Sequence, residues 1–324
     1  MNSFGRKFRV SIFGESHGNS VGVTIDGCPP GISFTERDML DDLAKRKSGK
    51  KGTTPRKESD YPNIISGIFN NLTTGAPITV IFNNNNTKSK DYSFTKETPR
   101  PGHADFVAEK KYKGYQDYRG GGHFSGRLTL GLVVAGVLAK KIISPMSPCA
   151  SIIEIGGKKD FETAINEAIK RKDSIGGIIE CTTRNIPIGL GEPFFDSVES
   201  VISHLAFSVP AVKGIEFGLG FESANKYGSE VNDVFVDEFG KTKTNHSGGI
   251  NGGITNGNDL VFKIVIKPTS SIGISQNTYN FKNKKIEELK IGGRHDTCIA
   301  LRIPPVIEAI AAIALADLLL LGKY

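Results

Sequence analysis

An α+β architecture, with β layers enclosing buried helices, is predicted by three features of the 324-residue sequence. Strand-like segments outnumber helical ones and do not alternate with them in a βαβ rhythm. Residues 306–321 are apolar around the whole circumference of a helix, which places that helix inside a protein. No GxGxxG follows a strand, so a doubly wound nucleotide-binding fold is disfavoured. At roughly 150 residues per domain the length admits one or two. No Pro/Ser-rich linker cuts the chain, and a single domain over residues 1–324 is expected.

The elements follow in order. Residues 8–13 alternate as a strand, GESHG interrupts, and residues 21–25 resume the pattern before the Cys28-Pro29-Pro30-Gly31 turn, so a first hairpin is predicted. Thr35 and Asp38 form a capping-box pattern that opens an amphipathic helix to about Arg46. A flexible basic loop, Lys47 to Gly52, follows it. Further strands are expected at 64–69, 78–82, 151–155, 177–183 and 260–266, with residues 83–86 as a loop. Between 128 and 143 a helix carries Gly131, Ala135 and Ala139 every fourth position, a small-residue ridge that another element can approach closely. In the helix at 306–321 Glu308 and Asp317 are nine residues apart and point to opposite sides. The polar, glycine-rich stretch 222–258 is long for a connection and reads as a functional loop.

Composition narrows the function. With 38% hydrophobic and 23% charged residues the chain is not disordered. The 16-residue apolar run falls short of the roughly 20 a bilayer needs, and no signal peptide is visible, so no membrane partner and a cytoplasmic location are expected. Cys28, Cys149, Cys181 and Cys298 form no CxxC pair or zinc spacing and read as reduced thiols. The net charge of +7 points to an anionic partner. No RNP pattern, zinc finger or arginine-rich segment accompanies it, so nucleic acid is not expected. The 29 lysines crowd polar stretches such as Lys282, Lys284 and Lys285, a solvated face. The 12 arginines mostly stand beside glycine and histidine.

Five such clusters stand out: Gly14-Glu15-Ser16-His17-Gly18, residues 100–105 (RPGHAD), residues 118–127 (YRGGGHFSGR), Lys267-Pro268-Thr269-Ser270-Ser271, and Gly292-Gly293-Arg294-His295-Asp296. Taken singly, each could be a turn with a structural histidine. Together their chemistry converges: glycines let backbone N–H groups approach an anion, arginine forks match phosphate or carboxylate, and histidine transfers protons near neutral pH. The triple glycine before the helix near Leu128 places donors at a positive helix end. HExxH, Walker A and GxSxG are absent, which leaves proton chemistry on an anionic ligand.

In this order the clusters resemble the chorismate synthase family. The likeness also includes FGESHG (13–18), DYRGGG (117–122), IGLGEP (188–193), AVKG (211–214), NHSGGINGGITNG (245–257), KPTSSI (267–272) and GRHD (293–296). The resemblance implies a carbon–oxygen lyase that carries out anti-1,4-elimination of phosphate from 5-enolpyruvylshikimate 3-phosphate. Chorismate is the product, reduced FMN is required without net redox change, and NADPH is a candidate reductant of the flavin. It implies a sandwich of antiparallel β-sheets enclosing long helices, assembled as a homotetramer. Carried over by motif, His17 resembles the acid that protonates the departing phosphate, and His103 the group that manages the charge of the reduced flavin. Asp296, with Ser16, resembles the pair that assists proton removal. Arg46, Arg100, Arg127 and Ser125 are implied to hold the substrate. His123, Phe124, Ser125, Pro210, Ala211, Gly252, the run Lys267, Pro268, Thr269, Ser270 and Ser271, and Arg294 are implied to line FMN.

The chain departs from the family pattern at identifiable points. Where the family usually reads RGGGRSSARET, this sequence has His123, Phe124, Gly126 and Leu128, losing a cation, a hydroxyl and an acid. Gly52 stands where an arginine is usual, with Lys50 and Lys51 near enough to supply its charge but not its fork. Pro210 replaces an Asn before AVKG, and GRHDPC reads GRHDTC. The altered cluster motivates the alternative, a flavin- or phospholigand-binding protein of the same fold with little turnover.

Overall fold

The computed structural model describes residues 2–56, 58–86, 89–293 and 295–322. Its first sheet is antiparallel and holds β1 (Ser3–Phe4), β2 (Arg9–Gly14), β3 (Ser20–Asp26), β4 (Asn63–Ser66) and β5 (Ile78–Asn83) in the order β1-β2-β3-β5-β4. The second holds β6 (Ser147–Ile155), β7 (Gly177–Arg184), β8 (Val212–Phe217) and β9 (Leu260–Ile266) in the order β8-β9-β7-β6, also antiparallel. Alternation sets their inner faces: Val21, Val23 and Ile25 of β3 and Ile78, Val80 and Phe82 of β5 are buried, as are Leu260, Phe262, Ile264 and Ile266 of β9.

Among the described residues seven α-helices accompany the sheets: α1 (Glu36–Arg46), α2 (Asp105–Lys111), α3 (Thr129–Ile142), α4 (Phe161–Arg171), α5 (Val198–Ala206), the single turn α6 (Gly228–Val231) and α7 (Pro304–Leu321). α3 packs on β2 and β3, α7 packs on β6 and β7, and the two helices lie against each other, so they fill the space between the sheets. This is the α+β sandwich around long buried helices. The ridge expectation needs one adjustment. Gly131 does face β3, where an added Cβ would lie 3.2 Å from Val23 Cβ, but the closest approach to α7 is at Gly136, where it would lie 2.3 Å from Ala309 Cβ.

By length and hydropathy α7 could cross a membrane, yet 72% of its 18-residue span is buried inside the fold, as a core helix should be. Its two acids do point apart. Asp317 accepts the backbone N–H groups of Arg6, Lys7 and Phe8 at 2.7–3.0 Å, while Glu308 receives Lys140 at 2.7 Å and the Ala150 N–H at 3.2 Å. The buried Asp317 and the half-buried Glu308 are therefore both satisfied, and each ties α7 to a neighbouring segment. Pro304 and Pro305 open the helix, where missing N–H groups cost nothing.

Other expectations are refined. The strand predicted at 64–69 is broken at Gly67, whose φ of +83° ends β4, and Ile68–Phe69 pairs instead with Leu72–Thr73. α1 starts at the expected capping box, buries Met39, Leu43 and Arg46 along one stripe, and delivers its last residue into the functional cavity. The stretch 222–258 contains a 3₁₀ turn, α6 and a short hairpin rather than one long loop. α2, α4, α5, β8 and a hairpin of Gln276–Asn280 with Lys285–Leu289 were not legible.

Candidate active site

A cavity of about 790 Å³ lies where the end of α1, the approach to α3 and loops 100–104, 208–211, 267–271 and 295–303 meet. Its walls bring together Ser16, Arg46, Arg100, His103, His123, Phe124, Ser125, Arg127, Pro210, Ala211, residues 267–271 and Asp296, all singled out from the sequence. Gly252 is not among them; it turns the hairpin between Ile250–Asn251 and Ile254–Thr255, with nothing within 4 Å of where a Cβ would stand. Arg294 lies outside the described residues.

His17 stands in the wall rather than at its surface. The β2–β3 turn carrying Ser16 and His17 is clamped by Asn84, whose amide donates to Glu15 O at 3.0 Å and Gly18 O at 2.8 Å. The His17 ring meets Tyr92 edge to face at 5.3 Å and backs onto Gly120, where an added Cβ would lie 2.1 Å from Nδ1. Gly120, at φ +59°, is thus required so that the cavity wall and the imidazole can touch. The imidazole is 7% exposed, and Nδ1 has no hydrogen-bond partner among the described residues. Burial, followed by the charge of Arg56, lowers its pKa from 6.5 to about 4, so the side chain is neutral at neutral pH.

Among the described residues five guanidinium groups line the cavity, those of Arg46, Arg56, Arg100, Arg127 and Arg302. Arg46 donates to Thr129 Oγ1 at 2.8 Å and Gly126 O at 2.7 Å, and burial with the nearby Arg302 charge pushes its pKa down to about 9. Arg127 pairs with buried Asp60 at 2.8 Å and donates from Nε to Asn84 Oδ1. Asp60 therefore gives Arg127 an acid although Leu128 occupies the usual glutamate position. Arg56 donates to Ser16 Oγ at 3.2 Å and to Glu58 at 2.7 Å. Arg302 holds Asp296 at 3.2 Å and Arg46 O at 3.1 Å, and Asp296 also accepts the Thr54 N–H at 2.9 Å.

The last predicted arginine is already occupied. Arg100 grips both oxygens of Asp105 at 2.7 and 2.8 Å and donates to Ser271 Oγ at 3.0 Å. His103 Nδ1 lies 2.6 Å from the same carboxylate. The loops are stitched across the site: Lys267 Nζ and Ser270 Oγ both donate to Gly102 O at 2.7 Å, and Thr269 Oγ1 donates to Asp296 O at 2.7 Å.

The departures from the family pattern take definite places. His123 lies between Gly14 O at 2.9 Å and Asn2 Oδ1 at 3.0 Å, so it ties the glycine-rich run to β2 and the N-terminus. Phe124, 38% exposed, turns an apolar face to the cavity. The three glycines precede α3 by several residues instead of forming its N-terminus, and Gly122 is needed because a Cβ would strike Asp117 O. Gly52 has no room for an arginine: a Cβ would lie 2.8 Å from Ile165 Cγ2. Lys51 is exposed, 3.7 Å from Glu162, and neither it nor Lys50 lines the cavity, so the added cation comes from Arg56.

Arg56, Glu58, Asp60, Tyr92 and Arg302 were missed by sequence reasoning. Arg56, Glu58 and Asp60 sit in an irregular segment, Tyr92 and Arg302 in short 3₁₀ helices with no readable period, and none stands beside a histidine and glycine pair.

The cavity suits a flat, phosphorylated ligand. It lies within the roughly 300–1,000 Å³ of small-ligand sites. Pro210, Ala211, Pro268 and Phe124 offer apolar faces, while Ser125 and the hydroxyls of 269–271 offer donors. Gly102, at φ +70°, keeps open the space before Ser270 and Lys267, where a Cβ would intrude to 3.4 and 3.9 Å.

Comparison with known proteins places this geometry in context. The family model for chorismate synthase matches residues 8–320. The chain is similar to chorismate synthase of Chitinophaga pinensis, 62% identical over 324 residues that cover 100% of this chain and 98% of the relative. It is similar to that of Methanocaldococcus jannaschii, 42% identical over 369 residues and covering 100% and 97%. A crystal structure of a chorismate synthase superposes with a TM-score of 0.75 at 25% identity, covering 98% of this chain and 93% of the other.

Proposed function

The chain belongs to the chorismate synthase family, and from that premise we propose how its cavity performs the family's reaction. The reaction is elimination of phosphate from 5-enolpyruvylshikimate 3-phosphate to give chorismate, the last step of the shikimate pathway, with reduced FMN as cofactor and no net redox change. The observation that carries the assignment to this cavity is the meeting of Ser16 and Arg56 at one wall, with His17 directly behind Gly120 there, and Asp296 and Arg302 at another, among arginines that suit an anion.

In this reading Arg56 and Arg46 attract the substrate's phosphate and carboxylates, with Arg127 beside them. Phosphate leaves with the electron pair of its C–O bond, and His17 gives its oxygen a proton. On the other side of the ring a C–H bond breaks, the proton passes to the Asp296 carboxylate, and the electron pair forms the new double bond as the existing one shifts. Arg302 and the Thr54 N–H hold that carboxylate in place. Since His17 is neutral in the ligand-free chain, the phosphate dianion must raise its pKa before it can act as an acid, by offsetting the Arg56 charge that lowers it.

The residues present fit FMN: 267–271, Ser125, Pro210 and Ala211 would hold it, with His103 and Phe124 alongside. Bound and reduced, the flavin supplies an electron-rich ring that assists phosphate departure and ends unchanged. NADPH is the candidate reductant, tested by whether it supports turnover with oxidised FMN.

We also propose one domain and a homotetramer in the cytoplasm. A single buried cluster runs from Phe8 to Leu318 through both sheets. Phe194, Phe195, Phe221, Phe235 and Phe239 are each more than 70% exposed, an apolar surface suited to burial between copies. The Gly252 hairpin adjoins this region through the Ile188–Asn256 bridge, which supports a cofactor role across an interface rather than within one chain.

The test is an anaerobic assay. Chorismate and phosphate should appear together with reduced FMN and not with oxidised FMN alone. Equal rates with both would contradict the requirement for reduced flavin, and binding without product would favour the ligand-binding alternative.

A further inference from the structure

We propose that Asp105 is a positioning residue for His103, holding the imidazole in the Nδ1–H tautomer so that Nε2 is the nitrogen available to the cavity. This rests on the reading of His103 as a working group of the site.

Asp105 opens α2 with its side chain 6% exposed, and among the described residues the hydrogen bonds and ion pairs of that side chain run to the loop before it. Oδ2 accepts Arg100 Nε at 2.7 Å and the Arg100 backbone N–H at 3.1 Å. Oδ1 accepts Arg100 Nη2 at 2.8 Å and lies 2.6 Å from His103 Nδ1. Arg100 Nη2 is also 3.1 Å from that nitrogen. A guanidinium only donates and a carboxylate only accepts, so the two neighbours demand opposite states of Nδ1. A bare Nδ1 would set its lone pair against a carboxylate oxygen at 2.6 Å, a repulsive contact closer than the favourable one from Arg100. A protonated Nδ1 makes a short charge-assisted hydrogen bond there, and Nη2 keeps its own acceptor in the same oxygen.

The remaining nitrogen then faces a bare backbone. Gly121, at φ +82°, approaches the ring so that an added Cβ would lie 3.5 Å from Nε2 and 3.4 Å from Cε1. The proton that comes and goes is therefore the one on Nε2, whose lone pair receives it and keeps the electrons when it leaves; Nδ1 retains its own. Asp105 does not become the acid. Burial alone would raise its carboxyl, but hydrogen bonds from Arg100 and His103, and their charge, hold it well below the usual carboxylate range. Besides these two partners, Lys267 is anchored on Gly102 O in the same loop, and Lys96, Glu109, Lys110 and Asp117 line a smaller adjoining cavity with His103. Arg100 becomes the counterion of Asp105 rather than a clamp on substrate.

The tautomer can be read without turnover. Histidine-selective ¹⁵N NMR of the ligand-free protein, with His103 assigned from His103→Gln, should show Nδ1 protonated and Nε2 bare at a pH high enough that the resonances no longer move. In Asp105→Asn the amide oxygen should stay where two donors converge, the Arg100 Nε and backbone N–H now on Oδ2, turning the NH₂ toward His103. The ring should then move toward the Nε2–H form, and turnover should fall by about 10²-fold or more. Asp105→Glu, which keeps an acceptor, should restore the wild-type ¹⁵N pattern in part. An Nε2–H tautomer in the wild type overturns the proposal whether or not the variants fold, and so does an unchanged pattern in folded Asp105→Asn. Normal turnover in His103→Gln would overturn the reading of His103 itself.

Discussion

A histidine that is to protonate a leaving phosphate must hold a proton when the phosphate departs, yet His17 is neutral in the free chain because it is buried beside Arg56. Substrate binding should therefore be accompanied by proton uptake at neutral pH. Calorimetric titration of a substrate analogue in buffers of different ionisation enthalpy measures it, and uptake should vanish in His17→Ala. The same depressed pKa links His17 to stability. The unfolded side chain binds its proton near pH 6.5 and the folded one near 4, so the unfolded state holds more protons between these values. This contribution is present above about pH 6.5 and lost as the pH falls toward about 4. Urea unfolding should show stability declining over that window, less so in His17→Gln. At this scale the motif residues were legible because glycine, histidine and arginine are chemically distinctive neighbours. Arg56 was not, since what makes it functional is contact with Ser16, 40 residues away, and Arg302 was not, since its contact with Asp296 depends on how the intervening turn folds.

The element scale is governed by how closely α3 and α7 approach. Gly136 admits Ala309 so near that no side chain fits, and Gly136→Val should destabilise the fold by about 1–3 kcal/mol or more, measured as a lower urea midpoint. Asp317→Ala should cost about 1–3 kcal/mol, because the Phe8 N–H it leaves behind is buried. Substitutions such as Lys284→Ala, in a surface turn, should leave the midpoint nearly unchanged. The apolar periodicity and capping box made α1, α3 and α7 legible. α4 passed unnoticed because its buried stripe rests on the small Ala164 and Ala168 beside Ile165, α5 because it is only 9 residues long, and the break at Gly67 because only tertiary pairing decides where a strand ends.

For the whole molecule, a core that runs continuously through both sheets predicts one cooperative unfolding transition at fixed protein concentration. The exposed phenylalanines of residues 194–239 predict association: light scattering should give the mass of a tetramer, and Phe195→Asp with Phe221→Asp a smaller species. The layered architecture was legible because a helix without a polar face, at 306–321, requires layers to cover it. The position of Gly252 was not, since a glycine in a turn carries no mark of what it will face. The account stands most directly on a single-turnover measurement with reduced FMN under anaerobic conditions, comparing the wild type with His17→Ala at saturating substrate. The wild type should convert bound 5-enolpyruvylshikimate 3-phosphate to chorismate, and the variant should bind it but react at least about 10²-fold more slowly. Equal rates in the two proteins would contradict the account.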